Sequence, residues 1–218
     1  MFFTANHNQD ALKEQGEGGK YISKSGIYPV TINFISVQVN DKNARSLVFN
    51  VDYEGSSNTL YGLTLDNNDG SKNFKQDLFN KLVLIAGLES VADPISETHK
   101  VGKDQTEREF AVLEEFSGLE IQVRIQEEYS LWQGALSEKK EIRGFYRADG
   151  ATAGEIEAGA GFGDKLAKDL EFAEAVTYKD NLTADKVKTL KAAKAAGRAV
   201  PTGAPAPVPK PDVNLFGN

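Results

Sequence analysis

The sequence predicts a mainly β protein: a small five-stranded antiparallel barrel with one helix between its third and fourth strands. Three observations point there. Residues 25–65 hold three successive stretches that alternate apolar and polar residues. A leucine-rich stripe of helical period follows. The cleanest two-residue alternation of the chain then begins after Gly118.

In the first stretch Tyr28, Val30, Ile32 and Phe34 fall on one face. Pro29, Thr31, Asn33 and part of the Ile35/Val37/Val39 run fall on the other. The second stretch alternates Leu47, Phe49, Val51 and Tyr53 with polar residues, and the third covers residues 60–65. Turn residues at 40–43 and 54–58 link them as antiparallel hairpins. The cluster at 66–71 places Asp66, Asn68 and Asp77 as a calcium loop would. Its glycine, Gly70, is one position out of register, so a plain turn is the reading.

Residues 73–89 then read as a helix. Phe74, Leu78, Leu82 and Ile85 form its buried stripe, Asn73 is the N-cap, and Asp93-Pro94 closes the region. Residues 96–106 read as a loop, followed by a short segment at 110–116. The fourth strand carries Leu119, Ile121, Val123 and Ile125 inward. A connection containing Trp132, Gln133 and Gly134 leads to a fifth strand, residues 138–147. There Arg143, Phe145 and Arg147 share one face, and Ile142, Gly144 and Tyr146 the other.

Composition changes past Asp149. The glycines at 159–163 lack the dinucleotide-binding spacing and read as a linker. Residues 164–178 and 183–196 can form short helices, the second rich in lysine with a solvated basic face. The organisation expected is a flexible lead-in (1–20), a barrel domain (21–150), an Ala/Gly/Lys-rich helical appendage (151–200) and a Pro-rich disordered tail (201–218).

The chain has no cysteine and two histidines, His7 and His99, which excludes disulfides and thiolate metal sites. Residues 1–150 carry the whole net charge of −7, while residues 151–218 are neutral. That balance argues against a broadly basic nucleic-acid surface and leaves a local patch as the alternative. No apolar run is long enough for a bilayer, and the first residues lack the basic and apolar regions of a signal peptide. The expectation is a cytoplasmic protein with no membrane partner. No Ser-His-acid set is present. The adjacent pairs Glu114-Glu115 and Glu127-Glu128 would point to opposite faces of a strand. No enzymatic activity, metal or cofactor is expected; a carboxylate-only magnesium nuclease stays as a remote reading.

The element order, three strands, a helix and two strands, is that of the OB-fold. The sequence also resembles a family. The run 25–32 (Ser-Gly-Ile-Tyr-Pro-Val-Thr-Ile), the Asp69-Gly70 turn before a leucine-rich helix, the run 118–123 and the run 145–156 look like small bacteriophage single-stranded-DNA-binding proteins. The likeness covers about residues 20–156. It implies an OB-fold that coats single-stranded DNA during phage replication or recombination, without marked sequence preference, in the host cytoplasm. Phage or host replication proteins would be further partners through the C-terminal tail. Such tails are strongly acidic, whereas Asp212 is the only acid of the last segment here, which puts that recruitment in doubt. A non-enzymatic accessory protein of the same barrel class, binding a protein, is the alternative. Monomer and dimer both stay open.

Binding a single strand takes cations for phosphates and rings on which bases stack. The best local match is Arg143, Phe145 and Arg147, preceded by Lys139 and Lys140. Phe145 then either stacks on bases or enters the core. Trp132, with Tyr129, sits in the connection where OB-folds bind ligands, and is either anchored or used. Tyr61, Lys72 and Lys75 flank the third strand and the helix start, with Phe74 beside them expected in the core. Arg124 on the polar face of its strand completes the set.

Overall fold

The computed structural model describes residues 20–102 and 104–195. The tail (201–218) and all of the lead-in but Lys20 lie outside them. The chain forms β1 (Gly26–Val39), β2 (Arg45–Tyr53), β3 (Ser56–Thr64), α1 (Gln76–Ile85), β4 (Ile95–Val101) and β5 (Thr106–Leu113). After a 3-10 turn at Glu114–Phe116 come β6 (Glu120–Trp132), β7 (Ala135–Arg147), α2 (Ala153–Ala158), α3 (Asp164–Leu170), β8 (Thr177–Tyr178) and α4 (Ala184–Ala195).

The eight strands make an open, antiparallel sheet with one parallel pair, β6 with β8. Its order is β3-β2-β1-β5-β4, with β6 on β1 and β7 on β6. The closed five-stranded barrel expected from the sequence is therefore corrected. Among the described strands β7 pairs only with β6, and no ladder joins it to β3. Residues 96–106, read as a loop, belong instead to the β4–β5 hairpin, which adds two strands beside β1. Both faces of that hairpin are largely polar, so the alternation that betrays half-buried strands is missing.

Helix α1 is shorter than residues 73–89. Gly87 stops it in the left-handed region at φ 71°. The Leu88 and Gly87 amides bond back to the carbonyls of Val83 and Leu84, a Schellman closure. At the other end Lys75, not Asn73, is the N-cap, and the Asn73 side chain accepts from the Lys75 amide at 3.0 Å.

Two bulges shape the first three strands. In β1, Ile32 faces Val51 and Phe34 faces Asn50, so Asn33 is an extra residue. Val30 and Ile32 enter the core before it, Ile35 after it. Phe34 is thereby turned to the face opposite its expected companions. In β3, Leu60 faces Phe49 and Leu63 faces Leu47, and Gly62 takes up the slack at φ 99°. The core gathers Ile32, Ile35, Leu47, Phe49, Leu63 and Ile125, with Leu82 of α1 and Phe116 packed in.

The chain divides into two compact units. One runs to Glu127 and resumes from Lys140 to Val176; the other takes Glu128–Lys139 and resumes at Thr177. In the second, Tyr129 is buried against Tyr178, their rings 5.8 Å apart. The buried carboxylate of Glu128 takes the Lys179 ammonium at 2.6 Å.

Within the first unit Lys75 spans the gap that the missing ladder leaves. Its ammonium donates to the Gly62 carbonyl of β3 at 2.7 Å and lies 3.4 Å from Glu141 of β7. Removing a largely buried charged donor should leave both acceptors poorly satisfied. Lys75→Ala is expected to lower stability by about 1–3 kcal/mol in a urea titration. A loss within error would show that the side chain is not a structural tie.

Candidate nucleic-acid interface

The arginines of the predicted platform are engaged within the protein. Arg143 pairs with Glu141 at 3.3 Å. Arg147 grips Asp149 through two nitrogens at 3.0 and 2.6 Å and lies 5.2 Å from the centre of the Phe162 ring. Arg124 pairs with Asp169 at 3.0 Å, where Tyr146 also donates at 2.7 Å and Lys165 at 2.6 Å. Burial works against the Asp169 anion, yet these three partners hold its carboxyl below the ordinary range. Lys72 pairs with Asp77 at 2.6 Å, and Lys75 is the tie described above.

Phe145 is a correction. It is 4% exposed and packs against Phe49, ring centres 5.6 Å apart. Ile142 and Phe145, three residues apart, both enter the core, so the alternation that put Phe145 beside the two arginines breaks within β7. Tyr129 is a second correction. It lies within β6 rather than in a connecting loop, is buried, and receives a hydrogen bond from Lys191 at 2.7 Å. The same lysine, also on Glu138 at 2.8 Å, is held above the ordinary lysine range, by Glu138 first and Tyr129 next. Phe74, expected in the core, is 73% exposed.

Trp132 closes β6 and is 71% exposed, while Lys139 and Lys140 are exposed on β7. Tyr61 is 62% exposed on β3, one residue from the carbonyl that holds Lys75. The structure places Tyr61 beside the Gly62 carbonyl that Lys75 bonds, but does not assemble the Arg-Phe-Arg platform.

A different site emerges on the face of β1–β3 turned away from the core. An open groove of about 760 Å³ runs there, lined by Tyr21, Asn33, Phe34, Asn50, Ser57, Thr59, His99 and Lys100 among others. Its floor is a row across the sheet, since Asn50 of β2 faces Phe34 of β1 and Thr59 of β3. The Asn50 carbonyl oxygen accepts from the Asn33 amide at 2.9 Å and from the Ser57 hydroxyl at 3.3 Å. Tyr61 stands two residues along β3 from Thr59, on the same side by strand alternation.

Two aromatic positions flank this floor. The His99 imidazole lies flat on Phe34, centres 4.0 Å apart and planes 14° apart, with Phe110 tilted against both. Glu97 holds the ring through its Nε2 at 2.7 Å. Tyr21, 63% exposed, is set by its neighbours: the Lys20 carbonyl and the Ile22 amide both bond the buried side chain of Asn58. Asn58 thus pins the segment before β1 to β3.

The groove differs from its neighbours in charge. Two smaller clefts, about 300 and 230 Å³, are lined by Asp52, Glu54 and Glu120 and by Asp66. Among the described residues no carboxylate lines the larger groove, which carries Lys100 and His99. A count of charges does not single out this face, because Asn33, Asn50, Ser57 and Thr59 are neutral. A usable signal was there: polar uncharged residues at successive outward positions of the meander. Among the described residues, no group of histidine and carboxylate side chains is placed to hold a metal ion. No helix there is long and apolar enough to cross a membrane.

No protein-family model matches the sequence, and no curated protein matches it at a significant level.

Phe145→Ala is expected to cost about 3–5 kcal/mol of stability, the usual loss for emptying a buried phenylalanine site; an unchanged urea midpoint would return the ring to the surface. Arg147, followed by the Ala151 amide, holds the Asp149 carboxyl at about 2 against an ordinary 3.8. A depressed carboxylate favours the fold above its ordinary value, and that contribution is lost as pH falls towards 2. Arg147→Ala is expected to move the Asp149 carbonyl-carbon titration in NMR back towards 3.8. An unmoved midpoint would mean that the pairing does not hold in solution.

Proposed function

We propose that this chain binds single-stranded DNA, without marked sequence preference, in the groove across the outer face of β1–β3. The observation that carries the reading is the groove's make-up on an acidic chain: rings at its flanks, an amide and hydroxyl floor, Lys100 in its lining and, among the described residues, no lining carboxylate. Rings offer a π-face that any base can use, which gives affinity without sequence preference. The amide row supplies donors and acceptors for sugars, bases and phosphate oxygens.

The strand order supports an OB-type module. Strands β1, β2, β3, β6 and β7, with α1 after β3, follow that element order, and β4–β5 is then an insertion after the helix. OB-folds are partly open barrels that receive oligonucleotides on the face of their second and third strands. The groove here lies over the corresponding strands. This agrees with the resemblance to phage single-stranded-DNA-binding proteins, and coating of single strands in replication or recombination is the role proposed. The proposal assigns the chain no reaction.

The test is anisotropy of labelled oligo-dT titrated with the full chain at several salt concentrations. Tyr21→Ala and His99→Ala are each expected to weaken binding by about 1–3 kcal/mol, the range for one stacked base. The log–log salt slope is expected to be shallow, no steeper than about −2, the value for about three phosphate contacts, because Lys100 and Lys20 stand beside Glu107 and Glu54. Binding that ignores both ring substitutions while retaining the fold would remove the groove as the site. No binding even at low salt would sink the DNA reading altogether.

A further inference from the structure

β4 ends its side of the sheet, and among the described strands it pairs only with β5. That ladder is regular from Ile95 opposite Val112 to Val101 opposite Thr106. Every second residue of such a strand turns its N–H and C=O away from its one partner. Soluble proteins usually blunt such edges with prolines, bulges, short strands or charged side chains, and the charges of β4, Glu97 and Lys100, are ones that a second copy can match. The seven residues of β4 contain no proline and no bulge; Pro94 stands just outside.

The edge is also complementary to itself. Set antiparallel to a second β4 about Thr98, it places Glu97 opposite His99, Ser96 opposite Lys100 and Ile95 opposite Val101. Each of these pairs occurs twice, and no like charges meet. Moving the centre to His99 would set imidazole on imidazole and Val101 on Glu97; moving it to Glu97 would set carboxylate on carboxylate. Of these three registers only the Thr98-centred one gives Ile95, 44% exposed, an aliphatic neighbour.

We propose that the chain pairs with a second copy of itself through the outer edge of β4, antiparallel and two-fold symmetric about Thr98. Glu97 and His99, already bonded within one copy, become a square of alternating groups across the axis. The axis stands perpendicular to the sheet, so the two copies of the His99-lined groove open on the same side. A contact along one strand of this length belongs with small interfaces, below about 1,200 Å². The pairing is therefore reversible and concentration-dependent. It does not rest on what the groove binds.

Sedimentation velocity of the full chain, without nucleic acid and over a wide concentration range, is expected to show a monomer–dimer equilibrium. The chain has no cysteine, so Thr98→Cys introduces a single reporter at the axis. Directly opposed antiparallel residues have Cα atoms about 4.5–5.5 Å apart, and a disulfide accepts about 4.4–6.8 Å. T98C is expected to oxidise to a covalent dimer much faster than K42C, placed in the exposed turn between β1 and β2. The double variant Ile95→Lys with Val101→Lys sets lysine against lysine and is expected to lose the dimer with its circular dichroism unchanged. A monomer at every concentration would overturn the proposal. So would a dimer that survives the double variant and leaves T98C uncrosslinked, which points to another face. A monomer whose β4 amides exchange slowly would also overturn it, pointing to occupation of the edge by the chain's own residues beyond 195.

Discussion

One strand has to serve three neighbours, and that constraint organises the first unit. β1 carries β2 along one edge, while its other edge pairs with β6 over residues 26–31 and with β5 at Ile35 and Ser36. The change of partner needs a break in the strand, and it comes at Asn33. Ile32 bridges the change: its amide donates to Leu119 at 2.9 Å, and its carbonyl accepts from Gly118 at 2.7 Å. Both backbone groups of Ile32 are thus bonded where the ladders part, which helps a buried strand to bend there.

The break also creates the groove. A strand alternates its side chains strictly, so one extra residue reverses every position after it. Without Asn33 as the extra residue, Phe34 would join Val30 and Ile32 in the core, and Ile35 would leave it. With it, Phe34 lies on the outer face under His99, and the stack of Phe34, His99 and Phe110 fixes the β4–β5 hairpin against β1. The wall of the groove and the continuity of the core thus follow from one inserted residue.

Much of the fold was legible in the sequence because burial on one face writes a period of two or 3.6 into it. The meander, the leucine-rich helix and the strand at 118–125 carry those periods, and β1–β3, α1 and β6 occupy these stretches. What escaped has physical reasons. The bulges at Asn33 and Gly62 leave no mark in composition, yet each changes which residues are inside. The β4–β5 hairpin buries little, so it carries no periodic signal. Phe145 was grouped with two arginines by an alternation that β7 does not keep. The candidate site was less legible than the fold, since only Tyr61 of the residues named in advance stands on the groove's side of β3.

The electrostatics explain why the sequence pointed elsewhere. A count of lysines and arginines along β6 and β7 suggests a basic strip, but its arginines each have an acid within reach: Arg143 with Glu141, Arg147 with Asp149, Arg124 with Asp169. Paired within the fold, such a charge attracts a phosphate weakly, because the partner's field cancels most of its own beyond a few ångströms. On a chain of net charge −7, a face attractive to an anion is made as much by keeping carboxylates away as by adding cations. Among the described residues the groove's own lining meets that condition with asparagine, serine and threonine, which present hydrogen bonds without a sign, while Asp52 on the same face of β2 lines the neighbouring cleft. A strand held there would depend mainly on stacking and neutral polar contacts. An acidic protein can make that kind of attachment without a basic surface.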